Sequence, residues 1–246
     1  MSNQKQPHSE RKHSDFSASG ASRWFRCSGS VALSRGVPSK DTKWSLEGTR
    51  AHEVLESIMR GSLLEDKNDP PEMVQYAKHS ANFIHVLLSK SGPSELLIES
   101  RVMLDFIHPE AFGSLDYAIV EYFGTLDILD FKYGLTLVDP KENLQFIFYA
   151  LGVAHLYNWN FSWVRMWTLQ PRVKNFDGYM FWEISIHELK KYVSVFKKAI
   201  ERTELYPDLY VEGDHCFFCP AKARCPLKQS VKNEKARMAF MSSPIN

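Results

Sequence analysis

Apolar positions along the chain switch period more than once. In residues 47–60, Ala51, Val54, Leu55, Ile58 and Met59 fall at i, i+3, i+4, i+7 and i+8, the stripe of a half-buried helix. Gly61 suits the position just past its end. The Pro70-Pro71 pair opens a second helix over 72–88, with Met73, Ala77, Ala81, Ile84 and Leu88 on one face. Strands follow at 96–104, 115–122 and 126–133. The last two are joined by Phe123-Gly124-Thr125, a three-residue loop in which the glycine can take a positive φ. Residues 142–157 read as a helix, and 161–169 and 178–186 as strands. Ser185 and Glu188 form a capping box that starts a helix ending near Leu205, ahead of Pro207. Residues 1–16 read as a flexible tail, and 17–43 as loop with a short helix at most. The basic C-terminal tail is a helix candidate. The order of elements predicts an α/β fold, a mixed sheet with helices on both faces.

Composition narrows the class. The chain has 246 residues, a hydrophobic content of 44% and a formal net charge of +1. It is long enough for one large domain with its own core. Whole-chain disorder, a coiled coil and a disulfide scaffold are excluded. No apolar run reaches the ~18–20 residues of a membrane span, and the polar N-terminus is not a secretory signal. These features predict a cytoplasmic protein with no membrane partner. Charge is uneven. Residues 1–50 hold nine Lys/Arg against four Asp/Glu, residues 213–246 six against two, and residues 51–212 fifteen against twenty-three. Basic ends around an acidic middle fit a polyanionic partner and a carboxylate-bearing site. Chance clustering of solvated charge fits this distribution equally well.

The central hairpin carries candidate chemistry. Asp130 and Lys132 are two apart in a strand and share a face. With a loop at 123–125, Asp116 is expected opposite Lys132 and diagonal to Asp130, about 7–8 Å away. Two carboxylates that close need neutralising, and a hard cation such as Mg²⁺ or Mn²⁺ prefers oxygen ligands. Metal plus ammonium is a kit for phosphodiester hydrolysis. A salt-bridged Asp–Lys–Asp hairpin without metal is the competing account. His52 sits at the edge of the apolar stripe of its helix, and Gln145 and Tyr149 share a helix face at i, i+4.

The ordered set Gly48-x3-His52, Gly113-x2-Asp116, Asp130-x-Lys132 and Gln145-x3-Tyr149 resembles the RecB-like branch of the PD-(D/E)XK nuclease superfamily. The runs Ser22-Arg-Trp-Phe-Arg-Cys-Ser-Gly-Ser30 and Asp130-Phe-Lys-Tyr-Gly134 resemble a phage-associated subgroup. Leu129 stands where the family name has Pro. The resemblance implies a restriction-endonuclease-like fold over about residues 17–228, with a helical insertion near 60–95. It implies His52, Asp116 and Asp130 as metal ligands, with the Phe131 backbone carbonyl as a fourth. Lys132 would be catalytic, and Gln145 and Tyr149 would contact DNA.

The four cysteines are Cys27, Cys216, Cys219 and Cys225. A CxxC pair with a third cysteine close behind points to a four-thiolate metal site, holding zinc or an iron–sulfur cluster. The one-plus-three layout is similar to the iron–sulfur members of the same family, which implies a structural 4Fe–4S cluster joining the N-terminal region to segment 213–228. Arg23, Arg26, Lys222, Arg224 and Lys228 are then expected along one edge. Trp24, Phe217 and Phe218 are expected to pack around the cluster rather than stack on bases. The expectation as a whole is a Mg²⁺- or Mn²⁺-dependent DNA exonuclease in recombination or end processing, in a bacterial or phage-infected cell, with a possible recombination partner protein. The alternatives are a nuclease-inactive DNA-binding or accessory module, and a zinc-stapled hydrolase of another phosphate ester.

Overall fold

Strands with buried residues on both faces need cover on both, and the helices of this chain divide accordingly. The computed structural model describes residues 15–38, 42–62 and 68–230. Its strands are β1 (Phe16–Ser17), β2 (Ser94–Met103), β3 (Ala111–Glu121), β4 (Thr125–Phe131), β5 (Trp163–Leu169) and β6 (Tyr179–Ser185). Its helices are α1 (Ala21–Trp24), α2 (Gly29–Ser34), α3 (Lys43–Met59), α4 (Pro71–Lys90), α5 (Leu144–Leu156) and α6 (Ile186–Leu205). The six strands form one mixed sheet in the order β1-β3-β4-β5-β6, with β2 also paired to β3. On one face α1, α5 and α6 bury Trp24, Phe146, Phe148 and Phe196 against Ala118, Ile128 and Met166. On the other, α3 and α4 bury Leu55, Met73, Ala77 and Ile84 against Tyr117, Ile119, Leu129 and Trp167. Residues 60–95, expected as an insertion, thus supply α4 to the core of that second face. No helix among the described residues is long and apolar enough to cross a membrane.

Local signals account for most boundaries. Thr42 and Ser45 form a capping box that starts α3 four residues before the expected onset. Ser185 and Glu188 do the same for α6, as the sequence predicts. The chain β4–α5–β5 is a parallel crossover, because β4 and β5 run parallel and α5 lies between them in sequence. Asn143 caps α5 by accepting from the Gln145 N–H. The expected tail lies outside the described residues up to position 14. Phe16, its last residue, is instead buried in β1 and pairs with Ala111. The basic tail from 231 onward also lies outside them.

The hairpin departs from expectation by one residue. Tyr117 pairs with Leu129 and Val120 with Leu126, so the loop is residues 122–124 rather than 123–125. Phe123, not Gly124, takes the positive φ, at 65°. Gly124 has another reason to be glycine: a Cβ there would lie 2.6 Å from the Glu121 carboxylate, which accepts from the Thr125 N–H. This register corrects the expected Asp116–Lys132 pairing. The ladder ends at Tyr117↔Leu129, and one further step sets Asp116 against Asp130. There the two strands part, and the candidate site lies in the gap.

Candidate functional site

Three elements deliver ligand-type side chains to this gap. His52 comes from α3, Glu99 from β2 and Asp116 from β3. One donor atom from each lies within 4.8 Å of the other two. His52 Nδ1 is 3.5 Å from Asp116 Oδ2 and 3.9 Å from Glu99 Oε1. The Phe131 N–H donates to Asp116 Oδ2 at 2.8 Å, fixing the carboxylate's rotation. The Phe131 ring meets His52 edge-on at 5.3 Å between centroids.

Asp130 and Lys132 form the other half. Lys132 Nζ lies 2.6 Å from Asp130 Oδ2, and Asp130 is 1% exposed. Gln145 ties this pair to α5. Its Nε2 donates to Asp130 Oδ1 at 3.3 Å and to the Tyr149 hydroxyl at 3.1 Å, and its Oε1 accepts from Lys132 at 3.5 Å. Tyr149 is buried, and its ring lies where a Cβ on Gly113 would fall, 2.7 Å from Tyr149 Cε1. Gly113 is therefore glycine because that ring crosses it. The structure places His52, Asp116, Asp130, Lys132, Gln145 and Tyr149 around one gap. Asp130 does not join the close trio, whose third member is Glu99.

The sequence reading missed Glu99. It lies in a strand whose apolar pattern does not alternate cleanly, and no motif contains it. The signal that finds it is register: Ile98 pairs with Tyr117 and Ser100 with Leu115, which leaves Glu99 across from Asp116. Glu99 has a φ of 45°, unusual for a side chain of its size.

Charges in the gap are strongly coupled. Burial would lower the His52 pKa, but Asp116, Glu99 and Asp130 outweigh it and push it up to about 9. Burial raises Asp130 to about 6, against the opposing pull of Lys132. Burial also raises Asp116, with His52 pulling the other way. For Lys132 burial is overcome by Asp130 and Asp116, so its pKa goes up and the side chain stays an ammonium. Such a set can hold a hard divalent cation: an imidazole nitrogen and two carboxylates converge, and an added positive charge relieves their crowding.

A second cluster gathers the cysteines. Cys27, Cys216, Cys219 and Cys225 all line one cavity, together with Ser30, Tyr210, Val211, His215 and Lys222. The Gly29 N–H donates to Leu209 O at 2.9 Å. A Cβ on Gly29 would lie 2.5 Å from the Tyr210 ring, so glycine there lets segment 207–211 close on α2. Among the described residues no three cysteine sulfurs fall within 4.8 Å of one another. Trp24 is fully buried in the core. Arg23 donates to Ser30 O and to the Ser30 and Ser34 hydroxyls, so it braces this segment rather than lining an open edge. Phe217 and Phe218 are exposed, against the expectation that they pack around the cluster.

Fold and gap together define a mixed α/β protein with a histidine–carboxylate centre at the opening between two strands. The chain belongs to the family described as "Protein of unknown function (DUF2800)", whose model matches residues 13–245. Among solved structures it is similar to a candidate exonuclease from Eubacterium rectale, with a TM-score of 0.49 and 13% identity over 87% of this chain and 91% of that one. It is also similar to an alkaline exonuclease from Laribacter hongkongensis, with a TM-score of 0.31 and 13% identity over 75% of this chain and 93% of that one.

Proposed function

We propose that this protein is a divalent-metal-dependent nuclease that hydrolyses phosphodiester bonds of DNA, acting as an exonuclease in recombination or end processing. One observation carries the reading: Lys132 Nζ is held 2.6 Å from buried Asp130, beside the His52–Glu99–Asp116 trio. A purely structural salt bridge has no need of three further ligand-type side chains at its flank. The ordered motifs of the sequence support the same chemistry.

His52, Glu99 and Asp116 would hold Mg²⁺ or Mn²⁺, with Asp130 and the Phe131 carbonyl completing the set. When bound, such an ion lowers the pKa of water and screens charge developing on phosphate. Lys132, kept as an ammonium, donates rather than accepts a proton. It serves to orient a nucleophilic water or to stabilise a phosphate oxygen. Gln145 fixes Asp130 and Lys132 relative to each other and is itself braced by the Tyr149 hydroxyl.

The four cysteines are read as ligands of a structural 4Fe–4S cluster. Their common cavity supports this. The test is anaerobic purification, assay of iron, sulfide and zinc, then incubation with end-labelled single- and double-stranded DNA and Mg²⁺ or Mn²⁺. The expected results are a brown protein and metal-dependent release of label, abolished by Asp116→Asn. If wild type degrades neither DNA form with either ion, the accessory DNA-binding reading replaces the nuclease. A colourless protein rich in zinc overturns the cluster.

A further inference from the structure

Two aromatic rings near the cysteines serve neither core nor site. Phe217 is 71% exposed and Phe218 86%. They sit between Cys216 and Cys219 on a turn held by Phe217 N–H to Asp214 O at 3.0 Å and Cys219 N–H to Cys216 O at 3.3 Å. The rings meet edge-to-face, 4.7 Å between centroids. Apolar rings this open are costly unless something covers them. Phe123 and Trp44 are comparably open, at 78% and 69%, but Phe217 and Phe218 are adjacent rings in mutual contact beside a lysine.

The surroundings select the occupant. Lys222 Nζ stands 5.4 Å from the Phe217 ring centroid. Arg224 and Arg26 are exposed, and Lys228 pairs with Glu212. Over 212–230 Glu212 is taken by Lys228, which leaves Asp214 as the other acidic residue beside Lys222 and Arg224. A partner must therefore offer flat apolar faces and negative charge together. Unpaired nucleotides do so, with bases for the rings and phosphates for the cations. An apolar protein surface would satisfy the rings and leave the cations without a counterpart.

We infer that Phe217 and Phe218 form a stacking platform for single-stranded nucleic acid, placed on the cysteine turn and flanked by Lys222 and Arg224. The choice of DNA rests on the nuclease reading above, whereas the stacking itself rests on the exposed rings.

The test is fluorescence anisotropy with fluorescein-labelled oligo(dT), without divalent ions and at fixed ionic strength. Phe218→Ala and Phe217→Ala are each expected to weaken binding roughly 5- to 100-fold, the range for loss of one base–aromatic stack. Phe218→Leu is expected to lose as much as Phe218→Ala, and Phe218→Trp to bind as wild type does. Thermal melting and sulfur-bound metal content serve as folding controls, and the Leu–Trp contrast still decides if an Ala variant folds poorly. Failure of wild type to bind oligo(dT), or unchanged affinity in the Ala and Leu variants, overturns the platform. So does loss in Ala with retention in Leu, which would mark an apolar protein-docking surface. A wild type that binds oligo(dT) but cleaves no DNA leaves the platform standing and removes the nuclease.

Discussion

Glu99 stands across from Asp116 at the rung where the β2–β3 ladder is interrupted, between Ile98↔Tyr117 and Ser100↔Leu115. Its φ of 45° turns the backbone out of strand geometry at the point where its carboxylate meets His52 and Asp116. A non-glycine residue in this region costs about 1–2 kcal/mol, a strain consistent with a ligand role.

Substitution at Glu99 separates strain from ligation. Glu99→Gln is expected to weaken Mn²⁺ binding at least roughly tenfold, read by calorimetric titration. Glu99→Gly should lose the ion equally but exceed Glu99→Ala in stability by about 1 kcal/mol, because glycine accepts the positive φ. Equal stability of the Gly and Ala variants would mean the backbone there is unstrained.

Lys132 already supplies one positive charge to the gap. In Lys132→Met, Glu99, Asp116 and Asp130 face one another with only His52 to offset them. DNA hydrolysis should fall roughly 10²- to 10³-fold, the scale seen when one transition-state donor is removed. The rise in melting temperature on adding Mn²⁺ should exceed that of wild type, since the ion now relieves more repulsion. A smaller rise would mean that Lys132 helps to hold the ion rather than substituting for it.

How much of this was legible in the sequence depended on distance along the chain. The stripes of α3, α4 and α6 are local, as are the caps Thr42 and Ser185, and the periodicity locates them. The same-face relation of Asp130 and Lys132, and that of Gln145 and Tyr149, follow from spacing alone. Glu99 was hidden because its partner is 17 positions away and the relation exists only through register. The Asp116 pairing missed by two residues, and the loop by one, because Phe123 takes a turn conformation that sequence rules assign to Gly124. The exposure of Phe217 and Phe218 was illegible too, because nothing local says whether a ring near a cysteine turns inward or outward.

Asp127 gives a pH prediction away from the site. It is 1% exposed, accepts from Trp167 Nε1 at 2.6 Å and from Arg165 at 2.8 Å, and projects from the face opposite Asp130. Burial raises its pKa more than Arg165 and Trp167 lower it. A carboxyl whose folded pKa lies above its unfolded one contributes most below the unfolded value, about 3.9, and loses that contribution as pH rises. The stability of wild type relative to Asp127→Asn should therefore decline from about pH 4 upward, measured by urea unfolding. A gap that widens with pH would mean that the Arg165 pairing outweighs burial.

Two motif glycines that look alike in sequence should respond with opposite sign. At Gly113 a Cβ would lie 2.7 Å from the Tyr149 ring and 2.9 Å from Ala18 Cβ, so Gly113→Ala should destabilise by roughly 1–3 kcal/mol. At Gly48, inside α3 and one turn from His52, a Cβ would meet nothing within 4 Å. Gly48→Ala should raise stability by about 1 kcal/mol. If the DNA backbone passes close to this turn, the same change should raise KM while leaving the metal affinity unchanged. Thermal melting and steady-state kinetics on one preparation read both effects.

The cysteines offer a prediction in which additivity is the measurement. Cys27 sits on the segment before α2, and the other three follow α6, yet all four line one cavity. If one inorganic group bridges them, losing any ligand releases the same clasp. Cys27→Ser and Cys219→Ser should then destabilise by similar amounts, and the double variant by little more than either alone. Four independent thiols behave differently: buried Cys27 would matter more than the partly exposed Cys219, and effects at separate sites would add within about 0.5 kcal/mol. Urea unfolding of the two single variants and the double, made anaerobically, distinguishes the cases. Strong non-additivity supports one shared group, and simple addition would leave the two cysteine segments linked by side-chain packing alone.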